Sequence, residues 1–183
     1  MLLKTDRLII RDLETTDGII FSRMASDGSL NDIGFDTEFH SWANEWMREA
    51  RQLAAQDNPT VNYLAYTLEL RETREVIGSV GCSYYEDLKK TGIVYFVGAE
   101  YRNHGYATEA IKEYVRYFLQ QYQQDEIIAI IREDNIPSWR AIEKAGFILT
   151  VHKMYQDIDD VSEQMYRFYS YRIHLPCLIG ICG

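Results

Sequence analysis

The sequence lacks the features that mark secreted and membrane proteins. Its 183 residues include only three cysteines, Cys82, Cys177 and Cys182, which are too few and too irregularly spaced for a disulfide framework. No apolar run approaches the ~20 residues that span a bilayer. Charges at Lys4 and Arg7 interrupt the N-terminus, which carries no secretory apolar segment. We therefore expect a mature protein of the reducing cytoplasm with no membrane partner.

Motifs for nucleotide phosphates, metals and serine hydrolysis are also missing. No G-x-x-x-x-G-K-[ST] occurs, and "GSVG" at 78–81 lacks the spacing of a dinucleotide fingerprint. No G-x-S-x-G elbow suggests a serine hydrolase. The four histidines are scattered, and Cys177 and Cys182 are not at zinc spacing, so we expect no metal.

The composition shows little positive charge relative to negative charge. The formal net charge of −9 argues against a nucleic-acid partner, which normally meets a basic face. An acidic surface raises the local concentration of a cationic substrate; alternatively, the charge only keeps the protein soluble. The length fits one domain, which we expect over residues 1–174, and the apolar segment 175–183 forms a tail whose role stays open.

Periodicity predicts the element order β-α-α-β-β-β-α-β-α-β-β. A polar loop is expected over 27–40, with Ser41 capping the second helix. Antiparallel strands followed by β-α-β units imply a mixed sheet with helices on both faces. The predicted strands are 7–11, 62–70, 76–85, 92–98, 126–132, 147–151 and 165–173, and the predicted helices are 15–26, 42–56, one from near Gly105 to Tyr122, and 137–145.

The stretch "YRNHGYATEA" (101–110) lies between a predicted strand and a long amphipathic helix. Gly105 has no Cβ, so another group can approach the main chain closely. The first amides of a helix lack intrahelical partners and, with the helix dipole, favour phosphate oxygens. Arg102 and His104 add positive charge. The alternative is a plain strand-to-helix turn with solvated cations.

A second polar stretch, "NIPSW" (135–139), follows the apolar strand 126–132. Loops after neighbouring parallel strands meet at one edge of the sheet, where open α/β sheets bind ligands. Asn135 offers a donor and an acceptor, and Ser138 offers a hydroxyl. The alternative role of Asn135 is to cap the following helix.

Together these motifs resemble the GCN5-related N-acetyltransferase (GNAT) superfamily. Residues 102–107 match the pattern R/Q-x-x-G-x-G/A, and residues 135–138 precede "AIEKAGF" (141–147). The opening "TDRLIIRDLETTD" and the hairpin "LELRETREVIGSVG" resemble the RimJ/RimL branch, which acetylates ribosomal-protein N-termini. The resemblance implies a three-layer α+β fold with a mixed, mostly antiparallel sheet.

The resemblance also implies acetyl-CoA as the acetyl donor. Its pyrophosphate would lie on the amides of residues 102–107, and its pantetheine arm would run between strands 92–98 and 126–132. A main-chain N–H near Val97 would stabilise the oxyanion of the thioester, a role worth a few kcal/mol. The implied donor-binding residues are Phe96, Val97, Gly98, Arg102, Asn103, His104, Gly105, Tyr106, Ala107, Thr108, Asn135 and Ser138.

The catalytic acid and base are less clearly marked. Many family members carry a tyrosine where this chain has Ile142, so Ser138 is the candidate that protonates the leaving thiolate, with a bound water as the alternative. An alkyl amine has a pKa near ~10.4 and must lose a proton before attack, whereas an α-amine near ~8 needs less help. Glu100 is the candidate base. Asp32, Asp36 and Glu38 are the alternative bases. A further alternative is that Glu100 and these three residues are all solvated surface carboxylates. Tyr84 and Tyr95 either shape the acceptor slot or face the core.

The sequence therefore predicts an N-acetyltransferase that moves an acetyl group to a primary amine by direct attack. The acceptor would be a protein N-terminus or a small polycationic amine. A non-catalytic acyl-CoA-binding domain is the alternative, which the absence of the tyrosine at Ile142 keeps open. The aromatic strand 165–173 and the apolar tail also make a homodimer possible.

Overall fold

The computed structural model describes residues 1–157 and 160–172, which form eight strands and four α-helices. The predicted tail 175–183, with Cys177 and Cys182, lies outside the described residues, as does the end of the predicted domain at 174. Two short 3-10 helices, Asn31–Ile33 and Ala99–Tyr101, lie in loops. The strands are β1 (Leu2–Lys4), β2 (Leu8–Arg11), β3 (Leu64–Leu70), β4 (Val76–Tyr85), β5 (Lys90–Val97), β6 (Glu126–Arg132), β7 (Ile148–Tyr155) and β8 (Gln164–Arg172), and the helices are α1 (Asp17–Ala25), α2 (Phe39–Gln56), α3 (Tyr106–Gln121) and α4 (Ile136–Ala145).

The strands form one sheet in the order β1-β2-β3-β4-β5-β6-β8-β7. Every neighbouring pair is antiparallel except β5 and β6, which are parallel. The predicted mixed, mostly antiparallel α+β sheet is therefore confirmed.

Helices cover both faces of this sheet. Alternate residues of a strand point to opposite faces, and in β3 Leu64 and Tyr66 join a hydrophobic cluster with α3 and α4, whereas Ala65 joins a second cluster with α1 and α2. The predicted three-layer arrangement is confirmed. Among the described residues, no helix has both the length and the hydropathy to cross a membrane.

Strands β5 and β6 separate soon after they meet. Their register contains one pair, Gly92 with Ile128, although both strands continue several residues toward their carboxyl ends. The nearest ring atom of Tyr85 lies only 2.6 Å from the position that a Cβ on residue 92 would occupy, which is too close for two carbon atoms. Glycine is needed here because any side chain would displace the tyrosine ring. The gap between the two strands is the feature that positions the site.

Helix α3 follows its predicted pattern. Its polar face is partly or fully exposed, and its apolar residues recur at the i, i+3, i+4 spacing that places them on one face. Its buried residues are Ala110, Ile111, Tyr114, Val115, Phe118 and Leu119. This packing fixes the axis of α3 against the sheet, so the start of the helix has a defined position.

The start of α2 corrects the sequence prediction. The helix begins at Phe39, inside the loop predicted over 27–40, because Phe39 is fully buried and stacks on Phe35 with ring centroids 4.1 Å apart. The N-cap is Glu38, and Ser41 donates its hydroxyl to the Glu38 carbonyl at 2.8 Å. The predicted cap at Ser41 is wrong, since packing of the two phenylalanines determines where the helix begins.

The structure also contains one strand that was not predicted and one strand that is longer than predicted. Strand β1, which the prediction omitted, pairs Leu3 with Ile10 of β2. Strand β7 extends to Tyr155, four residues beyond its predicted end at 151, because it stays paired with β8 as far as Gln164. Both differences arise from pairing with a partner strand, which local sequence patterns do not report.

Candidate active site

A cavity of about 850 Å³ opens beside the gap between β5 and β6. Strands β4, β5 and β6, helix α2 and the start of α4 contribute residues to its lining. Its aromatic lining residues are Phe35, Trp42, Trp46, Tyr63, Tyr84, Tyr85, Tyr95, Phe96, Tyr155 and Tyr166. Trp42 and Trp46 of α2 are half-buried and border this cavity.

Asn135 and Ser138 lie together at the α4 end of the cavity. The Asn135 side chain accepts a hydrogen bond from the Ser138 amide at 3.2 Å and so caps α4. Pro137 lies in the first turn, and Gly146 ends the helix with a φ of 104°. Asn135 thus caps α4, as the alternative interpretation of the sequence expected. The same hydrogen bond keeps the Asn135 side chain at the cavity.

The Ser138 hydroxyl is paired with Tyr95. The two hydroxyl oxygens are 2.7 Å apart, and the Tyr95 hydroxyl is also 2.9 Å from the Ser138 carbonyl. Burial raises the pKa of Tyr95 above its ordinary value, so the phenol is protonated at neutral pH. Sequence reasoning named both residues but did not predict this contact, which joins β5 to α4.

The main chain of β5 points into the gap at Val97. The Gly98 amide donates to the Ile77 carbonyl at 2.9 Å, and antiparallel pairs alternate between hydrogen-bonded and non-hydrogen-bonded positions. The main-chain groups of Val97, paired with Gly78, therefore point away from β4 and toward β6. Phe96 instead contributes its side chain to the cavity lining.

The loop from Arg102 to the start of α3 presents unpaired amides. Asn103 has a φ of 65° and Gly105 a φ of 82°, both in the left-handed region. Within the part of the chain that the structure describes, the amides of residues 103–108 donate to no acceptor. They are Asn103, His104, Gly105, Tyr106, Ala107 and Thr108. Helix amides in this state are suited to phosphate oxygens.

The side chains of Arg102 and His104 form hydrogen bonds within the protein. Arg102 donates through Nε to the Val97 carbonyl at 3.2 Å and through Nη2 to the Ser29 carbonyl at 3.1 Å. The His104 ring Nδ1 is 2.8 Å from the Arg102 carbonyl. The anion-binding capacity of the loop therefore resides in its main chain.

The structure does not bring Glu100 into the cavity lining. Glu100 lies in the exposed 3-10 helix Ala99–Tyr101, and Asp36 and Glu38 are also exposed and outside the lining. The carboxylates that border the cavity are Glu86, Asp87 and Asp157. Asp87 accepts a hydrogen bond from Tyr155 at 3.1 Å. Sequence reasoning missed these residues because they come from two distant turns.

Two further residues limit the chemistry of the site. Ile142, at the position of the family tyrosine, is fully buried in the core and carries no proton donor. Cys82 borders the cavity, but burial raises the pKa of its thiol to about 12, and a protonated thiol is a poor nucleophile. Among the described residues, no group of three or more His, Cys, Asp or Glu side chains is arranged to hold a metal.

Comparisons with known proteins identify the family and the fold. Residues 7–148 match the family model of the Acetyltransferase (GNAT) domain. The uncharacterised N-acetyltransferase YjdG of Bacillus subtilis (strain 168) is 25% identical over 162 residues, covering 84% of this chain and 92% of YjdG.

Two solved structures share the fold. One is RimL, a ribosomal alpha-N-protein acetyltransferase in complex with coenzyme A, with a TM-score of 0.78, 11% identity, and coverage of 94% of this chain and 98% of RimL. The other is the self-immunity acetyltransferase MccE in complex with acetyl-CoA and AMP, with a TM-score of 0.75, 15% identity, and coverage of 92% and 94%. The chain belongs to the GNAT family of acetyltransferases and is an acetyl-CoA-dependent acyltransferase.

Proposed function

We propose that this protein transfers the acetyl group of acetyl-CoA to a primary amine by direct nucleophilic attack, as a relative of the RimJ/RimL branch. The observation that carries the proposal is that the loop of unpaired amides at 103–108 follows the carboxyl end of β5, the strand that borders the gap with β6. A molecule with a pyrophosphate at one end and a thioester at the other would use the loop for its pyrophosphate and the gap for its thioester arm. The high pKa of Cys82 supports direct attack over an acyl-cysteine intermediate.

The donor would be held mainly by main-chain groups. The pyrophosphate would accept hydrogen bonds from the 103–108 amides, and the pantetheine arm would pass Val97 and Asn135 in the gap. The Val97 amide, which points toward β6, would donate to the thioester oxygen as negative charge develops there. Charge development at a preorganised donor in a site of low dielectric is a large source of catalysis.

The leaving thiolate would receive its proton from the Ser138–Tyr95 pair. The Tyr95 hydroxyl, held 2.7 Å from the Ser138 hydroxyl, would replace the proton that Ser138 donates. A serine hydroxyl is a weak acid by itself, so a phenol behind it makes the donation more favourable. The proposal needs no metal.

The acceptor would be a cationic amine, either a protein N-terminus or a small polycation. Aromatic rings of α2 and the β-strands line the cavity, and Glu86, Asp87 and Asp157 add carboxylates at its border. Ammonium groups are attracted both to aromatic faces and to carboxylates. The net charge of −9 acts in the same direction and gives no support to a nucleic-acid or membrane partner.

The general base is assigned from the sequence. Glu100 remains the predicted base, although it is exposed and outside the cavity lining. Asp87 is the carboxylate to compare with Glu100, because it borders the cavity and accepts a hydrogen bond from the Tyr155 hydroxyl. If Glu100 is the base, Glu100→Gln lowers kcat for an alkyl amine far more than Asp87→Asn does. The reverse order would assign the base to the cavity border.

The decisive experiment measures thiol release from acetyl-CoA across a panel of N-terminal peptides, polyamines and simple alkyl amines. Turnover with a primary amine, and formation of its N-acetyl product by mass spectrometry, would support the proposal. Binding of acetyl-CoA without product from any amine of the panel would favour a non-catalytic acyl-CoA-binding domain. A failure to bind acetyl-CoA at millimolar concentration would overturn both functions.

We also propose a cytoplasmic location, on the composition alone, which cell fractionation tests. The homodimer stays a prediction. The aromatic side chains of β8 lie within the domain, with Tyr166, Phe168 and Tyr169 each buried. Light scattering of the full chain measures the oligomeric state directly.

A further inference from the structure

Glu109, in the first turn of α3, is held by the turn between β1 and β2. Its carboxylate accepts hydrogen bonds from the Thr5 hydroxyl at 2.5 Å, the Arg7 amide at 2.9 Å and the Arg7 Nε at 2.7 Å. Arg7 Nη2 also forms an ion pair with Glu109 at 2.6 Å. We call Thr5, Arg7 and Glu109 the clasp, because they connect the N-terminal turn to the start of α3.

The same arginine also contacts the loop of unpaired amides. Its Nη1 donates to the His104 carbonyl at 2.8 Å, and its guanidinium lies 4.7 Å from the centre of the Tyr106 ring. The Nη2 atom is 3.5 Å from where a Cβ on Gly105 would lie. Arg7 therefore contacts His104 and Tyr106, the residues on either side of Gly105, at the point where the loop becomes helix.

The loop needs such support. Asn103 adopts a φ of 65°, which is uncommon for a residue other than glycine, and strained main chain persists only where its surroundings hold it. The amides of 103–108 make no bonds of their own to the described residues. The bonds of Arg7 to the His104 carbonyl and of the clasp to α3 supply an external constraint on this segment.

Within the clasp, the positive charge of Arg7 offsets the negative charge of Glu109 beside the loop. A carboxylate stabilises the start of a helix through the dipole, but an isolated carboxylate would repel a polyphosphate nearby. Burial alone would raise the pKa of Glu109, but hydrogen bonds from Thr5 and Arg7 outweigh it and hold that pKa below its usual value. Glu109 is thus ionised at neutral pH, and the Arg7 guanidinium neutralises its charge beside the loop.

We propose that the clasp of Thr5, Arg7 and Glu109 preorganises the 103–108 amides to receive the pyrophosphate of acetyl-CoA. Arg7 and Glu109 are then positioning residues for the donor and do not take part in acetyl transfer. The proposal rests on the function proposed above, since it assigns the donor pyrophosphate to this loop.

The test compares ligands that contain or lack the pyrophosphate. Isothermal titration measures Kd for coenzyme A and for S-acetylpantetheine, with the wild-type chain and the variants Glu109→Gln and Arg7→Gln. If the competent loop conformation falls to about a tenth of the population, Kd for coenzyme A rises about tenfold. Kd for S-acetylpantetheine stays unchanged, because that ligand does not reach the loop.

Glu113→Gln is the matched control. Glu113 forms an ion pair with Arg116 on the same helix, and its side chain is 16% exposed against 18% for Glu109. Its substitution should leave both Kd values unchanged. Where Glu109→Gln does not fold, as judged by circular dichroism, Arg7→Lys retains the charge but loses the geometry of the guanidinium, and the same preferential loss of coenzyme A affinity is expected.

The outcomes separate the two proposals. Wild-type protein that binds coenzyme A, with folded Glu109→Gln and Arg7→Gln variants that bind it equally well, overturns the clasp and leaves the proposed function standing. Equal weakening of coenzyme A and S-acetylpantetheine also overturns it, since that pattern indicates a general structural defect. Wild-type protein that binds neither ligand overturns the proposed function itself.

Discussion

Replacing Gly105 with alanine tests whether the main chain at the start of α3 binds the donor. Gly105 has a φ of 82° and a ψ of 4°, a left-handed conformation that costs a residue with a Cβ about 1 to 2 kcal/mol. The added Cβ would meet only Arg7 Nη2, at 3.5 Å, which is an ordinary contact. The loss of stability should therefore be small, because nothing else in the described protein obstructs the methyl group.

The loss of acetyl-CoA affinity should be larger than this backbone cost implies. If the proposed function is correct, a methyl group on residue 105 would occupy the space through which the pyrophosphate approaches the amides. Losing two hydrogen bonds to a charged group, at about 1.5 kcal/mol each, weakens binding about 100-fold. At a concentration of 100 times the wild-type Kd, the ligand stabilises the wild-type protein by about 2.7 kcal/mol and the variant by about 0.4 kcal/mol.

Thermal unfolding with and without acetyl-CoA measures both effects. For a domain of this size, 1 kcal/mol corresponds to about 2 to 4 °C in Tm, so acetyl-CoA should raise Tm by about 5 to 10 °C in the wild type and by about 1 °C in Gly105→Ala. The control is Gly28→Ala. Gly28 has a similar φ of 74°, and its Cβ would meet Asn31 at 3.6 Å, so its backbone cost is matched.

The Gly28→Ala protein should lose the same stability without ligand and keep the full acetyl-CoA shift. An equal acetyl-CoA shift in the two variants would refute the reasoning, since it would show that the ligand does not approach the main chain at residue 105. If the free energy of unfolding of Gly105→Ala falls by far more than about 1 to 2 kcal/mol, the cost exceeds that of the left-handed backbone alone. The added methyl group must then meet atoms other than Arg7 Nη2.

Three further predictions concern single side chains. Arg102→Gln should weaken acetyl-CoA binding only a few-fold by titration, because its guanidinium binds the Val97 and Ser29 carbonyls; complete loss of binding would show that it contacts the donor. Ser138→Ala should lower kcat about 100-fold and leave the acetyl-CoA Kd unchanged, and unaltered turnover would remove Ser138 as the acid. Asp17→Asn should lower the free energy of unfolding by about 3 kcal/mol in urea titrations, because buried Asp17 bonds Arg11, Thr67 and the Glu14 amide. Burial alone would raise the pKa of Asp17, but these hydrogen bonds outweigh burial and hold the pKa below its ordinary value of 3.8. The stabilisation from ionised Asp17 is therefore present above pH 3.8 and is lost as the pH falls further. The free energy of unfolding of Asp17→Asn should accordingly depend less on pH below about 4 than that of the wild type.

Much of the fold and part of the site were predictable from local patterns. The apolar spacing in α3 and the continuous apolar run of β6 report how each segment is buried, so their existence and order were predicted. Gly105 and Asn135 were identified because a helix start needs particular residues whatever surrounds it. The mixed sheet with helices on both faces and the candidate anion-binding loop follow from such local requirements, whereas the family fold and acetyl-CoA as the donor were implied by the resemblance to the GNAT superfamily.

The errors and omissions share a different cause. The start of α2 depends on Phe39 stacking on Phe35, and β1 exists because it pairs with β2. The Tyr95–Ser138 contact crosses 43 residues, and the contact of Thr5 with Glu109 crosses 104. None of these has a local signature, because each side chain is compatible with many surroundings until the strands are placed.

The sequence by itself therefore determined the four α-helices, seven of the eight described strands and their order, and it marked Gly105 as a candidate anion-binding turn, since these depend on periodicity and on the backbone freedom of a few residues. Only the tertiary structure decided which side chains meet across the sheet. It placed Tyr95 on Ser138, brought Asp87 and Tyr155 to the border of the cavity, left Glu100 outside the cavity lining, and joined Arg7 to Glu109. These arrangements arise from how β5 separates from β6 and how α3 packs on the sheet, which are properties of the assembled chain.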